Sequence, residues 1–305
     1  MDKKGIIATI VAYTVWGALP AYWKLVQQVP ALQILGHRTV WSFVFLLVLL
    51  TWRKQWTWLA MVRERPRVLG LFLLTGSILG LNWFLYIWSV NAGRVLDASL
   101  GYFINPLLSV LLGVVFLKEQ LRPGQWVAIG LAGVGVVYLT VSYGAFPAVA
   151  LTLALTFGLY GLFRKTAPLA SVEGLALETT FMSVPALSYL VYLEWTNAGA
   201  FGQAEWGTRL LLALTGLATA LPLLSFTYGA RRIPLSAVGI LQYIAPTLQF
   251  LLGVFAYQEP FSRSQLFGFS VIWLALLVYS VEGIWMAQRK AKAPRSAIVP
   301  GRPGN

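Results

Sequence analysis

Residues 104–125 read INPLLSVLLGVVFLKEQLRPGQ, and residues 244–265 read IAPTLQFLLGVFAYQEPFSRSQ. The two stretches lie 140 residues apart and share nine identities in 22 positions, among them Pro106 and Pro246, Gly113 and Gly253, Glu119 and Glu259, and Gln125 and Gln265. An apolar composition produces chance matches of Leu and Val, but not a Pro, a Gly, a Glu and a Gln in register. The same offset places Arg38-Thr39 on Glu178-Thr179. The chain is therefore read as an internal duplication.

Around these stretches the chain is apolar almost throughout. Of its 305 residues, 58% are hydrophobic and 11% are charged, whereas a soluble domain carries roughly a quarter of its residues as charges. Soluble classes are excluded on that ground. Apolar runs between charged, Pro- or Gly-containing breaks predict ten membrane spans, over 5–24, 32–52, 68–92, 97–117, 124–142, 146–163, 172–194, 207–229, 235–257 and 264–287. This leaves no room for a separate extramembrane catalytic domain. Met1-Asp2-Lys3-Lys4 precedes an apolar run that continues to Lys24 without a small-x-small cleavage site, so the first span is expected to be uncleaved.

The 23 Lys and Arg against 10 Asp and Glu give a net charge of +13. The basic residues occupy the gaps between apolar runs, so they are read as a topology signal rather than a nucleic-acid surface. With the N-terminus in the cytoplasm, 18 of them fall in inside segments, only Lys24, Arg94, Arg209 and Arg263 fall outside, and Arg38 lies within a span. That bias is the one expected of cytoplasmic loops, and it places both termini inside. Five spans per half is an odd number, so the second half must enter the membrane in the opposite sense. The expected fold is an all-α integral membrane protein of ten transmembrane helices built as two inverted-topology five-helix repeats. These cover residues 1–144 and 145–288, and a basic, disordered cytoplasmic tail follows over 289–305.

The duplicated unit carries Trp16-Gly17 in its first span, Arg38 early in its second, and a Pro, Gly, Glu succession in its fourth. In these features it resembles the EamA domain of the drug/metabolite transporter superfamily. Pro20-Ala21-Tyr22, His37-Arg38, Asn82-Trp83, the run from Ala98 to Pro106, and Gln242-Tyr243-Ile244 look like the RarD branch, often labelled chloramphenicol-sensitive. The resemblance covers about residues 4–287. It implies a ten-helix inner-membrane permease that moves small metabolites or drugs, and it carries no substrate with it.

Ionisable groups inside a bilayer are functional candidates by default, because burying them is costly. Arg38 is read either as an anion-binding group or as a snorkelling side chain that fixes helix orientation. Its neighbour His37, the single histidine, is read either as a proton carrier or as a packed, hydrogen-bonded group. Glu178, on the position matching Arg38, is either a proton-coupling carboxylate or a static partner of Arg164 or Lys165. Asp97 is expected to be a helix N-terminal residue. Pro106 and Pro246 are expected to kink their helices and release the carbonyl one turn earlier. Paired interruptions of this kind point to a transport site, with Tyr102, Asn105, Gln242 and Tyr243 presented to it. Asn82 and Trp83 add an amide and an indole, and Trp16, Tyr13 and Tyr160 offer stacking surfaces. Trp52, Trp56, Trp58, Trp195, Trp206 and Trp285 are read as an interfacial belt. Gly76, Gly80, Gly130, Gly133 and Gly135 are read as helix-contact positions.

The chain has no cysteine, one His and two Asp, and it carries no HExxH, GxSxG or Walker motif. Intramembrane enzymes and nucleotide-driven pumps are disfavoured on that count, and no cofactor or metal is expected. A secondary transporter working by alternating access is the expected function, and a channel or scramblase-like pore is the alternative. The expected partners are a small-molecule substrate, with proton coupling left open, and the lipid bilayer. The expected assembly is a monomer or weak homodimer in the cell (inner) membrane.

Overall fold

The computed structural model describes residues 2–91, 95–144, 146–258 and 262–292. The first half contains α1 (Lys3–Lys24), α2 (Ala31–Trp52), the short α3 (Trp58–Glu64), α4 (Pro66–Asn91), α5 (Val95–Leu117) and α6 (Pro123–Tyr143). The second contains α7 (Ala148–Thr166), α8 (Ser171–Trp195), the short α9 (Ala200–Gln203), α10 (Trp206–Ala230), α11 (Leu235–Gln242), α12 (Ile244–Leu251), a π-helical turn (Leu252–Ala256) and α13 (Arg263–Lys292). Among the described residues, ten segments are long and apolar enough to cross a membrane, with α11, α12 and the π turn together making the ninth. The side chains of Arg94 and Asp97, and Glu259 and the tail beyond Lys292, lie outside the described residues.

Local chemistry sets the helix ends. The Asp2 carboxylate accepts from the Lys4 backbone N–H at 2.8 Å and caps α1. Pro123 opens α6, where a missing N–H costs nothing, and Gly144 ends that helix at φ +77°. The non-glycine residues with positive φ among those described are Lys54, Lys118, Asn197 and Gln258. They stand after α2, α5, α8 and the π turn, so the same helix-terminating turn recurs at equivalent places in the two halves. The short helices recur in the same way, α3 after the second span and α9 after the seventh.

Packing between the halves follows an exchange pattern. α5 packs on α7 while α11 and α12 pack on α1; α10 packs on α1 while α4 packs on α7; and α10 packs on α2 while α4 packs on α8. α2 meets α8, α5 meets α11, and α6 meets α13. The main core, with Tyr13, Leu79, Tyr160, Leu175, Phe226 and Leu235 among its residues, therefore draws on both halves. The outer surface stays apolar, with Val48, Phe116, Val141 and Leu277 exposed, as suits helices solvated by lipid rather than water. Trp52, Trp195 and Trp206 are exposed at helix ends, where an indole sits at a bilayer interface.

One local expectation needs correction. Gly76 and Gly80 face α8, and Gly135 faces α13, but a side-chain carbon at Gly130 or Gly133 would meet nothing within 4 Å. These two are not helix-contact positions, because α6 is peripheral and turns that face outward. The two matched prolines stand in different surroundings. The ninth span breaks at Tyr243, three residues before Pro246, whereas α5 runs unbroken through Pro106. α5 is held along its length by α7 and α11, and Gly239 of α11 lies so close to the Pro106 carbonyl that a Cβ there would stand 2.5 Å from it.

Candidate functional site

The halves enclose a central cavity of about 150 Å³. Its wall takes Tyr13, Trp16, Pro20 and Trp23 from one face of α1, and Arg38 from α2. Asn82, Trp83 and Tyr86 come from α4, Gly101, Tyr102 and Asn105 from α5, and Leu153 and Phe157 from α7. Leu223, Gln242, Ala245, Pro246 and Gln249 complete it from α10, α11 and α12. On α1, α2, α4, α5 and α7 these residues fall in the half of the helix nearer the end opposite the N-terminus. Tyr102 and Gln242 hold the same place in the 140-residue repeat, and both line the cavity, one from each half.

Proline chemistry shapes part of the wall. Pro20 lies inside α1 and has no N–H, which leaves the Trp16 carbonyl without its helical donor. The Gln249 amide supplies one from α12 at 3.2 Å, so a backbone group freed in one half is satisfied by the other. The remaining wall amides are held as well. Asn82 Nδ2 donates to the Leu153 carbonyl at 2.9 Å and to Thr156 Oγ1 at 2.8 Å. Asn105 Oδ1 accepts from Ser109 at 3.3 Å, and Gln242 Oε1 accepts from the Tyr13 hydroxyl at 3.4 Å.

Arg38 is the cation of the wall. Its Nε donates to Thr219 Oγ1 at 3.1 Å, and its guanidinium lies 4.3 Å from the Trp83 ring centre and 5.4 Å from that of Trp23. Cation–π contact with two indoles orients the flat guanidinium, while its terminal amino groups meet no acceptor among the described residues. Arg38 and Glu178 do not pair, although they occupy matched positions in the repeat.

Beneath the cavity, toward the N-terminal end of the bundle, Glu178 is fully buried. It accepts from Thr75 at 2.6 Å and from Tyr160 at 3.1 Å, and it lies 3.7 Å from Arg164 Nε. Arg164 is also fully buried, under the Phe72 ring. Gly174 makes room for it, since any Cβ there would overlap the guanidinium. At the same end, the Glu119 carboxylate reaches across to the start of α11, where it accepts from Leu235 N at 2.5 Å, Ser236 N at 2.9 Å and Ser236 Oγ at 2.7 Å. Lys118 in a left-handed conformation lets the Glu119 N–H close on the Gly113 carbonyl at 3.1 Å. Gly113 is small because the carboxylate folds back over it. In the first copy of the repeated segment, the spacing from Gly113 to Glu119 therefore encodes a helix end that caps a helix of the other half.

The cavity thus brings together Trp16, Arg38, Asn82, Trp83, Tyr102, Asn105, Gln242 and Pro246. It leaves out Glu178 and Tyr160, which form the layer beneath, and Tyr243, which is buried and donates to the Phe103 carbonyl at 3.2 Å. His37 is left out too: it stacks on Phe201 of α9 at 5.1 Å, and its Nε2 is buried without a hydrogen-bond partner. The sequence pattern does not single out Trp23, Tyr86, Phe157 and Gln249, which also line the wall. Helical spacing offers a signal for three of them, since Trp23 follows Trp16 by seven, Tyr86 follows Asn82 by four and Gln249 follows Gln242 by seven.

Comparison with known proteins adds to this picture. The model of the EamA-like transporter family matches the chain twice, over residues 3–141 and 147–281. The chain is similar to the uncharacterized transporter YojE of Bacillus subtilis, at 50% identity over 95% of this chain and 98% of that protein. It is also similar to the protein RarD of Streptomyces exfoliatus, at 42% identity over 99% of this chain and 97% of the other. A crystal structure of a protein 19% identical superposes with a TM-score of 0.67 over 92% of this chain and 99% of that one, a likeness of fold.

Proposed function

The chain belongs to the EamA-like transporter family and is a multi-pass membrane transporter, and on that basis we propose that it is a secondary transporter of small metabolites or drugs working by alternating access. The observation that carries this reading is a cavity shared by both halves and displaced toward one end, above a buried polar layer and a cross-half tie at the other. In this reading the halves are two repeats, residues 1–144 and 145–288, of opposite topology. The exchange pattern of their contacts supports it. The 18-to-4 distribution of basic residues supports cytoplasmic termini in an inner membrane, which makes this conformation outward-facing.

Within that scheme, Trp16, Arg38, Asn82, Trp83, Tyr102, Asn105 and Gln242 bind substrate. Glu178, Tyr160, Arg164 and Glu119 hold the inner side shut. The break at Tyr243 is the point at which α11 and α12 change their relative direction as the cavity changes sides. A thermal-stability screen of the purified protein identifies a compound that stabilises the folded state, and counterflow of that compound in proteoliposomes then tests the mechanism. Saturable uptake accelerated by compound on the far side is expected. Non-saturating flux without acceleration would establish a pore and refute alternating access.

A further inference from the structure

We propose that the central cavity selects a planar organic anion, an aromatic ring carrying a single carboxylate, with Arg38 binding the carboxylate and the surrounding indole and phenol rings receiving the ring. The proposal rests on the transporter reading above and adds to it the chemical class of the cargo.

Charge is the first ground. Arg38 is the cation of the wall, and among the described lining residues there is no carboxylate. The buried acid of the layer beneath, Glu178, is already engaged by Thr75, Tyr160 and Arg164 outside the cavity. Arg38 uses Nε on Thr219, which leaves the amino edge of the guanidinium for a ligand. That edge presents parallel N–H donors matching the two oxygens of a carboxylate. A partly buried guanidinium within an apolar bundle is stabilised by a counter-charge, and one cation calls for one anion. A cationic ligand would meet like charge with no carboxylate among the described lining residues to offset it. A zwitterion would satisfy Arg38 but bring its ammonium group to a wall that offers no carboxylate among the described lining residues.

Shape is the second ground. The cavity walls include Trp16, Trp23, Trp83, Tyr86, Tyr102 and Phe157. Trp16 and Phe157 meet edge to face at 5.7 Å, and Tyr86 and Tyr102 do so at 5.9 Å. These rings pack on one another and line the cavity, and a further flat ring can join such a cluster by offset or edge contact. Trp83 and Trp23 hold the guanidinium over their faces, so the charge and the aromatic rings are parts of one surface.

The test uses four probes on purified protein in detergent, with binding measured by calorimetry: 3-phenylpropanoate, 2-phenylethylamine, phenylalanine and hexanoate. The first three share a ring and differ in charge, and hexanoate keeps the charge without the ring. 3-Phenylpropanoate is expected to bind more than 10-fold tighter than each of the others. Arg38→Gln should level the acid with the amine, Arg38→Lys should retain a reduced preference, and Trp83→Leu should level 3-phenylpropanoate with hexanoate. Equal or tighter binding of the amine or of phenylalanine, no binding of any probe, or an Arg38→Gln protein that keeps the order would overturn the proposal. If Arg38→Gln does not fold, an Arg38→Lys protein with the unchanged preference overturns it equally. Counterflow separates the two readings. Binding of the acid without counterflow would sink the transport mechanism and leave the ligand class standing, and counterflow of the amine but not the acid would do the reverse.

Discussion

Replacing Glu119 with Ala tests whether the tie between α5 and α11 holds the N-terminal end of the bundle closed. The substitution removes three hydrogen bonds to a carboxylate, at 2.5, 2.9 and 2.7 Å, and exposes the first N–H groups of α11 to a site where Leu235 and Ser236 are 1% and 2% exposed. Loss of a helix cap costs about 1 kcal/mol, and loss of an anion at a partly buried helix N-terminus adds up to about 2 kcal/mol. Taken together, the closed state loses roughly 2–3 kcal/mol relative to a state in which α5 and α11 part, a shift of about 30- to 150-fold at 1.4 kcal/mol per tenfold. The chain has no native cysteine, so Ser109→Cys gives a clean reporter. Ser109 is buried, and its Cβ would stand 3.1 Å from a Cβ placed on Gly239 of α11. Its reaction with an impermeant maleimide should be at least 10-fold faster in the Glu119→Ala background, and Glu119→Gln, which keeps an acceptor oxygen but no charge, should fall between. Unchanged reactivity in a protein of unchanged Tm would refute the gating role of Glu119.

The buried pair beneath the cavity gives a prediction about stability. Arg164→Met or Glu178→Gln alone should each cost about 3–5 kcal/mol by leaving one polar partner uncompensated, and the double variant should be more stable than either. Additive losses in detergent Tm measurements would show that the two side chains are not coupled. Orientation is checked with single cysteines: Ser142→Cys, at the end of α6, should react with an impermeant thiol reagent applied outside the cell, and Ser171→Cys, at the start of α8, should not. The reverse pattern would invert the topology.

Much of the cavity is legible in the amino-acid sequence, for a physical reason. Polar and aromatic groups inside an apolar span are expensive unless they face one another or a wet space, so Arg38, Asn82, Tyr102, Asn105 and Gln242 stand out against their surroundings. Tyr243 and Tyr160 stand out on the same ground yet lie behind the wall. Which side of a helix faces a cavity depends on the rotation of that helix against its neighbours. A span that is apolar all round does not record its rotation in its sequence pattern. Gly130 and Gly133 mislead in the same way, being small residues on a turn of α6 that no helix approaches.

Ten spans, a duplication and a charge asymmetry are written in the chain itself. Each follows from solvation, since backbone hydrogen bonds must be closed within each segment that crosses lipid and charges must stay near its edges. The partners of individual side chains are set by tertiary packing instead. Arg38 and Glu178 hold matched places in the repeat, yet the first stacks on Trp83 at the cavity and the second is sealed beneath it by Thr75 and Arg164. Pro106 and Pro246 are likewise matched, yet α5 stays whole where the ninth span breaks. Two equivalent segments in one chain meet different neighbours, and contacts more than a hundred residues apart, such as Glu119 with Ser236, are set by how the halves pack rather than by any local pattern.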